Sequence, residues 1–176
     1  AGSHMLQLLD LLLRAGCRIT FASAAQPGDT RADLAALGIT ETAIALNCSS
    51  FDTFVRALDP AIVLFDRFMT EEQYGWRVAQ QCPQALRLLE TSDLHCLREA
   101  RHGLLKQALA RGETDVPQHS DDALFRVLAQ HEVALREIAA ILRSDLSLMI
   151  SGVEIDLLQR YFAVPATQLA YCPFLL

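Results

Sequence analysis

The sequence predicts an α/β fold, a Rossmann-like and mostly parallel sheet with helices on both faces. Three observations lead there. Short runs of β-branched and aliphatic residues alternate with helical stretches along the chain. The strongest run, residues 61–66 (AIVLFD), is apolar on both faces, as a strand covered by helices on each side should be. The 176 residues are 52% hydrophobic, enough for one domain with a full core, and no internal repeat divides them.

The elements follow in order. Residues 6–15 predict a helix with Leu8, Leu9, Leu12 and Leu13 on one face, closed by Gly16 as its C-terminal glycine. Residues 18–23 (RITFAS) predict a strand. A loop holding Pro27, Gly28 and Asp29 follows, and Thr30 caps a short helix that ends at Gly38. Residues 42–46 predict a strand, and Ser49 or Ser50 caps a helix that Asp59-Pro60 ends. After the strand at 61–66, Thr70 caps a helix to about residue 81, with Glu71 and Glu72 in its first turn. Residues 85–90 form a strand, and Asp93 caps a helix to about residue 111. Residues 112–119 are a polar surface loop. Ser120 caps a long amphipathic helix to Arg143, with Phe125, Leu128, Leu135, Ile138 and Ile141 facing inward. Residues 145–150 are a strand, 152–161 a helix and 169–172 a last short strand.

Doubly wound sheets open on a strand that lies centrally, between the second and the fourth. This sequence opens on a helix, so the expectation is a sheet whose first strand is missing. That sheet has an unfilled slot between the strands at 18–23 and 61–66.

Composition excludes several classes. The net charge of −6 argues against a nucleic-acid partner. No apolar run approaches the roughly 18 residues of a membrane span. Of 15 basic residues only Lys106 is lysine, a bias that suits a bacterial source of high GC content. The cysteines, Cys17, Cys48, Cys82, Cys96 and Cys172, are odd in number and widely spaced. With no CxxC pair and no secretory signal pattern, they predict reduced core residues in a cytoplasmic protein. The apolar helical faces would equally serve a partner domain or peripheral contact with a membrane surface. No HExxH or paired-His spacing is present, so no metal site is expected, and no cofactor. GxGxxG, GxxxxGK[ST] and GxSxG patterns are also absent from the sequence.

Ligands of parallel sheets collect beyond the carboxyl ends of the strands. Asp66 and Arg67, after the most apolar strand, could orient a polar ligand, or simply pair and cap the next helix. Asp93 and His95 stand where a helix N-terminus offers N–H groups to an anion, and could serve as base and acid. Ser151 and Glu154 place a hydroxyl and a carboxylate after another strand, and their spacing is equally that of a capping box. Arg98 and Arg101 could contact phosphate. Glu132 and Arg136 read as helix-surface electrostatics.

Three stretches carry a resemblance to a known family. Residues 2–21, from Gly2-Ser3-His4-Met5 to Ile19-Thr20-Phe21, are similar to a glycine loop, a helix and the lead into a second strand. Residues 62–77 (IVLFDRFMTEEQYGWR) and 86–101 (LRLLETSDLHCLREAR) resemble bacterial glycosyltransferase sequences. Residues 132–154, with Arg143-Ser144-Asp145-Leu146 and Ser151 to Glu154, match the family's long helix and the strand after it. Together they resemble the amino-terminal half of a GT-B-fold glycosyltransferase of the group 1 (family 4-like) type. Gly2-Ser3-His4-Met5 is also the remnant that common expression tags leave, so it reads either as native or as such a remnant.

The resemblance implies one Rossmann-like domain, residues 1–176, on the acceptor side of a two-domain transferase. The parent enzyme would move a sugar from a nucleotide-sugar donor to a glycan or lipid-linked acceptor. The donor would be held by a carboxyl-terminal domain with a paired-glutamate motif, outside this sequence, so the chain alone is expected to be inactive. Gly2 and Ser3 would form the loop facing the cleft. His4, Asp66, Arg67, Asp93, His95, Ser151 and Glu154 would line it, with Asp93 and His95 as the catalytic pair. Two other readings stand beside it: a non-catalytic ligand-binding or regulatory module, and another Rossmann enzyme such as a methyltransferase.

Overall fold

A computed structural model describes residues 2–25, 32–112 and 131–174, together with Leu124 and Leu128. The loop at 26–30, the Thr30 cap, residues 113–119 of the polar loop, the Ser120 cap and Phe125 lie outside the described residues. The fold is α/β with parallel sheets. The chain forms two compact units, one of residues 1–61, 76–85 and 174–176, the other of residues 62–75 and 86–173.

In the first unit, α1 (Ser3–Arg14) buries His4, Met5, Leu8 and Leu9 on one face. Gly16 follows with φ +85°, a left-handed geometry that glycine adopts without steric cost. β1 (Thr20–Ser23) pairs in parallel with β2 (Thr40–Ala43), Thr20 opposite Thr40 and Ser23 opposite Ala43. The pairing sets β2 two residues ahead of the predicted strand. Its limits are the bonds from Thr40 N to Ile19 O (3.1 Å) and from Ile44 N to Ser23 O (3.0 Å). Between the strands only a 3-10 turn, Ala35–Leu37, stands where a short helix is predicted, and Gly38 closes it at φ +77°.

α2 (Ser50–Leu58) buries Phe51 and Val55 and ends on Asp59, left-handed at φ 45°. Arg77 Nη1 donates to both carboxylate oxygens of Asp52, at 2.7 and 2.8 Å. The buried Cys82 thiol donates to Val55 O at 3.3 Å, and burial pushes its pKa up.

The second unit holds β3 (Ile62–Asp66), β4 (Leu86–Ser92), β5 (Leu146–Met149) and β6 (Leu169–Tyr171) in that order, each pair parallel. The helices are α4 (His95–Ala110), α5 (Glu132–Arg143) and α6 (Gly152–Phe162); α3 (Phe68–Gln81) begins here, and the division between units passes through it after Gly75. Phe65, Leu89 and Met149 form the buried centre of the sheet, and Leu97, Ile138, Ile141, Leu157 and Leu158 are among the buried residues of the helices around it. β1 and β3 belong to different sheets.

Asp145 locks β4 to β5. Its Oδ2 accepts Arg87 N at 2.8 Å, its Oδ1 accepts Arg87 Nη2 at 3.2 Å, and its own N donates to Arg87 O at 2.9 Å. Burial works against the charged form, but the Arg87 backbone N–H and guanidinium outweigh it and hold the Asp145 carboxyl below its ordinary pKa.

Two helix starts, and the course of a third helix, differ from the predictions. α3 begins at Phe68, and Thr70 is not its cap: its hydroxyl donates back to Asp66 O at 2.7 Å from inside the first turn. Asp93 does not cap α4, for reasons given below. The long helix predicted to run to Arg143 is interrupted at His131, which is extended (φ −87°, ψ 130°), and α5 opens at Glu132. The inner face of α5 is Ala134, Glu137, Ile138 and Ile141, so Leu135, predicted to face inward, is 55% exposed.

α5 is tied to the first turns of α3 by two arginines seven residues apart. Arg136 clamps Glu72 with its Nε at 3.0 Å and Nη2 at 2.7 Å, over the ring of Phe68. Arg143 donates to the buried Glu71, Nε at 3.1 Å to both oxygens and Nη2 at 2.5 Å to Oε2. Two-point guanidinium–carboxylate contacts of this kind fix orientation as well as distance. Helix-surface pairing of Arg136 with Glu132 is the local expectation, and the tertiary partner Glu72 replaces it.

Candidate functional site

Six of the sequence-selected residues stand at the carboxyl edge of the four-stranded sheet. β3 delivers Asp66 and Arg67, β4 delivers Asp93 and His95, and β5 delivers Ser151 and Glu154. Gly2, Ser3 and His4 belong to the other unit. There Gly2 precedes α1 with φ −69°, and a Cβ added to it would meet nothing within 4 Å. Neither backbone geometry nor close approach therefore demands glycine at that place. Ser3 is exposed, and His4 is 5% exposed with its ring edge-on to Phe174 at 4.9 Å.

Two adjacent strands leave the sheet through left-handed residues that are not glycine, Arg67 at φ 70° and Ser92 at φ 57°. Each costs about 1–2 kcal/mol relative to ordinary backbone. Such strain persists where the surroundings over-determine it, and it concentrates at functional edges. At Arg67 the compensation is a 2.8 Å bond from its N–H to Glu90 O. The side chains of Asp66 and Arg67 are 46% and 51% exposed and only loosely paired, with Nε to Oδ1 at 3.9 Å. They are a carboxylate and a guanidinium turned to solvent at the strand end.

At Ser92 the compensation is Glu90. This carboxylate is 1% exposed and accepts Ser92 N at 2.9 Å and the Ser92 hydroxyl at 2.8 Å. The register shift of β4 against β5 falls at the same place. Thr91 adds a hydroxyl bond to Leu148 O at 2.9 Å.

The N-terminus of α4, read from sequence as an open anion site, is occupied by the protein's own carboxylates. Glu137 of α5 accepts His95 N at 3.0 Å and Cys96 N at 3.1 Å. Glu154 of α6 accepts Leu94 N at 3.3 Å. The first amides of the helix are thus satisfied internally, by carboxyl groups from two other helices. Asp93 has a different role, taking two bonds from Arg98 Nη1 at 2.9 and 2.8 Å. His95 packs edge-on against Phe68 at 5.7 Å, and its Nε2 is buried with no hydrogen-bond partner among the described residues.

Ser151 and Glu154 form half a capping box. The Ser151 hydroxyl accepts Glu154 N at 3.3 Å, but the Glu154 carboxylate reaches away to Leu94. Glu154 is 8% exposed, and burial raises its pKa above the ordinary glutamate range, with the charge of Asp93 adding to the rise. The Cys96 thiol is pushed far up by burial and then by Glu137, which leaves it an inert core group.

Glu137 and Glu90 are the residues that sequence reasoning missed. Glu137 had a legible signal: it occupies an inward position of α5, in the helical stripe of Ala134, Ile138 and Ile141. A carboxylate on a core stripe must find donors. Glu90 closes an apolar strand, and its local partner Ser92 was within reach of the same reasoning. Among the described residues, no three His, Cys, Asp or Glu side chains gather as metal ligands, and no helix is long and apolar enough to cross a membrane.

The chain matches no family model, no curated protein and no solved structure.

Proposed function

We propose that the chain is the acceptor-side half of a glycosyltransferase acting on a nucleotide-sugar donor and a glycan or lipid-linked acceptor. One observation carries the reading beyond the resemblance. The carboxyl edge of the four-stranded parallel sheet holds solvent-facing Asp66 and Arg67 on a strained turn, beside a strand end braced by buried Glu90, Glu137 and Glu154. Parallel sheets bind their ligands at that edge. In the proposed transfer an acceptor hydroxyl attacks the anomeric carbon. The bond to the nucleoside diphosphate breaks, and the hydroxyl proton passes to a protein base. Positioning and electrostatic stabilisation supply the rate.

The roles differ from those the sequence suggested. Asp93 is held by Arg98, the His95 Nε2 is buried and Glu154 is buried against Leu94 N, so Asp66, turned to solvent beside Arg67, is the better candidate for proton transfer. Arg67 is the better candidate for holding a phosphate or sugar hydroxyl. The test is nucleoside diphosphate release from UDP- and GDP-sugars by the polypeptide extended downstream along its reading frame. Release that Arg67→Ala abolishes supports the reading. No release with any donor and a panel of glycan and polyprenyl-phosphate acceptors counts against it.

A second reading has an observation in its favour. The filled N-terminus of α4 and the tied Asp93 suit a non-catalytic ligand-binding module equally well. Saturable binding of a small ligand by the 176-residue chain, with no turnover in the extended one, selects that reading.

A further inference from the structure

We infer that the outer edge of β3 takes up one more parallel strand, an extended apolar segment of the same polypeptide lying upstream of α1. The inference rests on the sheet and not on the transferase reading.

Three features point to it. First, β3 pairs with β4 alone among the described residues. Alternate residues of a parallel strand direct their N–H and C=O groups away from a given neighbour, so part of the β3 backbone awaits a second partner. Second, Ile62, Val63, Leu64 and Phe65 are apolar on both faces, the pattern of an interior strand, yet only Phe65 is buried and Ile62 is 44% exposed. Third, the two edges of this sheet are unlike. β6 is three residues long and ends on the exposed Tyr171. Very short strands are one way proteins blunt a true edge. β3 has five residues, with no bulge and no charge before Asp66.

The occupant follows from connectivity. A doubly wound sheet of order 3-2-1-4-5-6 that loses its first strand leaves two separate parallel sheets, one of the second and third strands, the other of the fourth onward. The orders β1–β2 and β3–β4–β5–β6 are those two sheets. The strand that neighbours the fourth is then the one whose crossover helix is α1, which places it before α1 in the chain. Parallel neighbours require such a helical crossover. Its chemistry is that of β3: four to six β-branched or aliphatic residues, buried on both faces.

Amide hydrogen exchange tests this on the 176-residue chain and on the polypeptide extended upstream along its reading frame. In the shorter chain the β3 amides not bonded to β4 should exchange rapidly, and in the longer one they should slow by a hundredfold or more. A synthetic peptide of the upstream apolar run, added to the shorter chain, should restore part of that protection. Equal exchange in both chains overturns the inference, as does full protection in the shorter chain, or a reading frame with no apolar run before α1. Protection that grows with the concentration of the shorter chain means pairing with a second copy and overturns it too. None of these outcomes depends on whether the extended protein turns over a nucleotide sugar.

Discussion

Glu137 of α5 holds the first turn of α4 through His95, whose backbone N–H donates to Glu137 Oε1 at 3.0 Å. The other oxygen takes Cys96 N at 3.1 Å, and the carboxylate is 1% exposed. A residue 42 positions downstream therefore does the work that a local Asp or Ser usually does at a helix start. Glu137→Ala leaves two amides of the α4 start without their acceptor. The expected loss is about 3 kcal/mol, read as a lower denaturant midpoint. Glu137→Gln keeps the shape and one acceptor and should lose less than half as much. Equal stability of all three proteins would contradict the assigned role.

Gly75→Ala decides between helix propensity and packing. Alanine gains about 1 kcal/mol in a helix interior. Here, however, the new Cβ would stand 2.3 Å from Glu71 Oε1 and 2.9 Å from its carboxyl carbon. Glu71 cannot swing aside freely, because Arg143 grips it. Overpacking costs about 1–3 kcal/mol, so the expected net result is destabilisation. A rise in thermal midpoint would show that the Glu71–Arg143 pair yields easily.

Arg67→Gly separates strain from ligand contact. At φ 70° glycine is relaxed where arginine is not. The 176-residue chain should gain about 1 kcal/mol of stability. If the proposed function holds, the extended enzyme should lose at least tenfold in kcat/KM from the same substitution. A stability gain without an activity loss would leave the strain structural.

Two carboxylates give opposite pH signatures. Asp145 has a lowered pKa in the folded state, so its contribution is present above the unfolded value and is lost as pH falls through the folded one. Glu154 has a raised pKa, so its contribution is complete below the unfolded value and is lost as pH rises through the folded one. Asp145→Asn should flatten the acid limb of the stability profile. Glu154→Gln should remove a decline that sets in above the ordinary glutamate range. Urea unfolding at a series of pH values measures both.

Much of this architecture was legible in the residues. The apolar run at 62–65 marks a strand, the Asp59-Pro60 pair ends α2, Gly16 follows α1 and Gly38 the 3-10 turn in left-handed geometry, and Ser151 caps α6. These are local matters, settled by side-chain shape, backbone sterics and donors a few residues away. The caps of α3 and α4 were not legible. Thr70 and Asp93 have the right chemistry and the wrong neighbours: one bonds backward to Asp66, the other to Arg98.

The sequence by itself determined the strand and helix alternation, and with it a parallel sheet whose carboxyl edge carries Asp66, Arg67, Asp93, His95, Ser151 and Glu154. Only the tertiary structure decided what those groups face. It filled the α4 N-terminus with Glu137 and Glu154, buried the His95 Nε2 and left Arg67 in solvent. The reason is that a buried amide or carboxylate takes whichever partner the fold brings within about 3 Å, and at this edge the partners of Leu94, His95 and Cys96 come from 41 to 60 residues away.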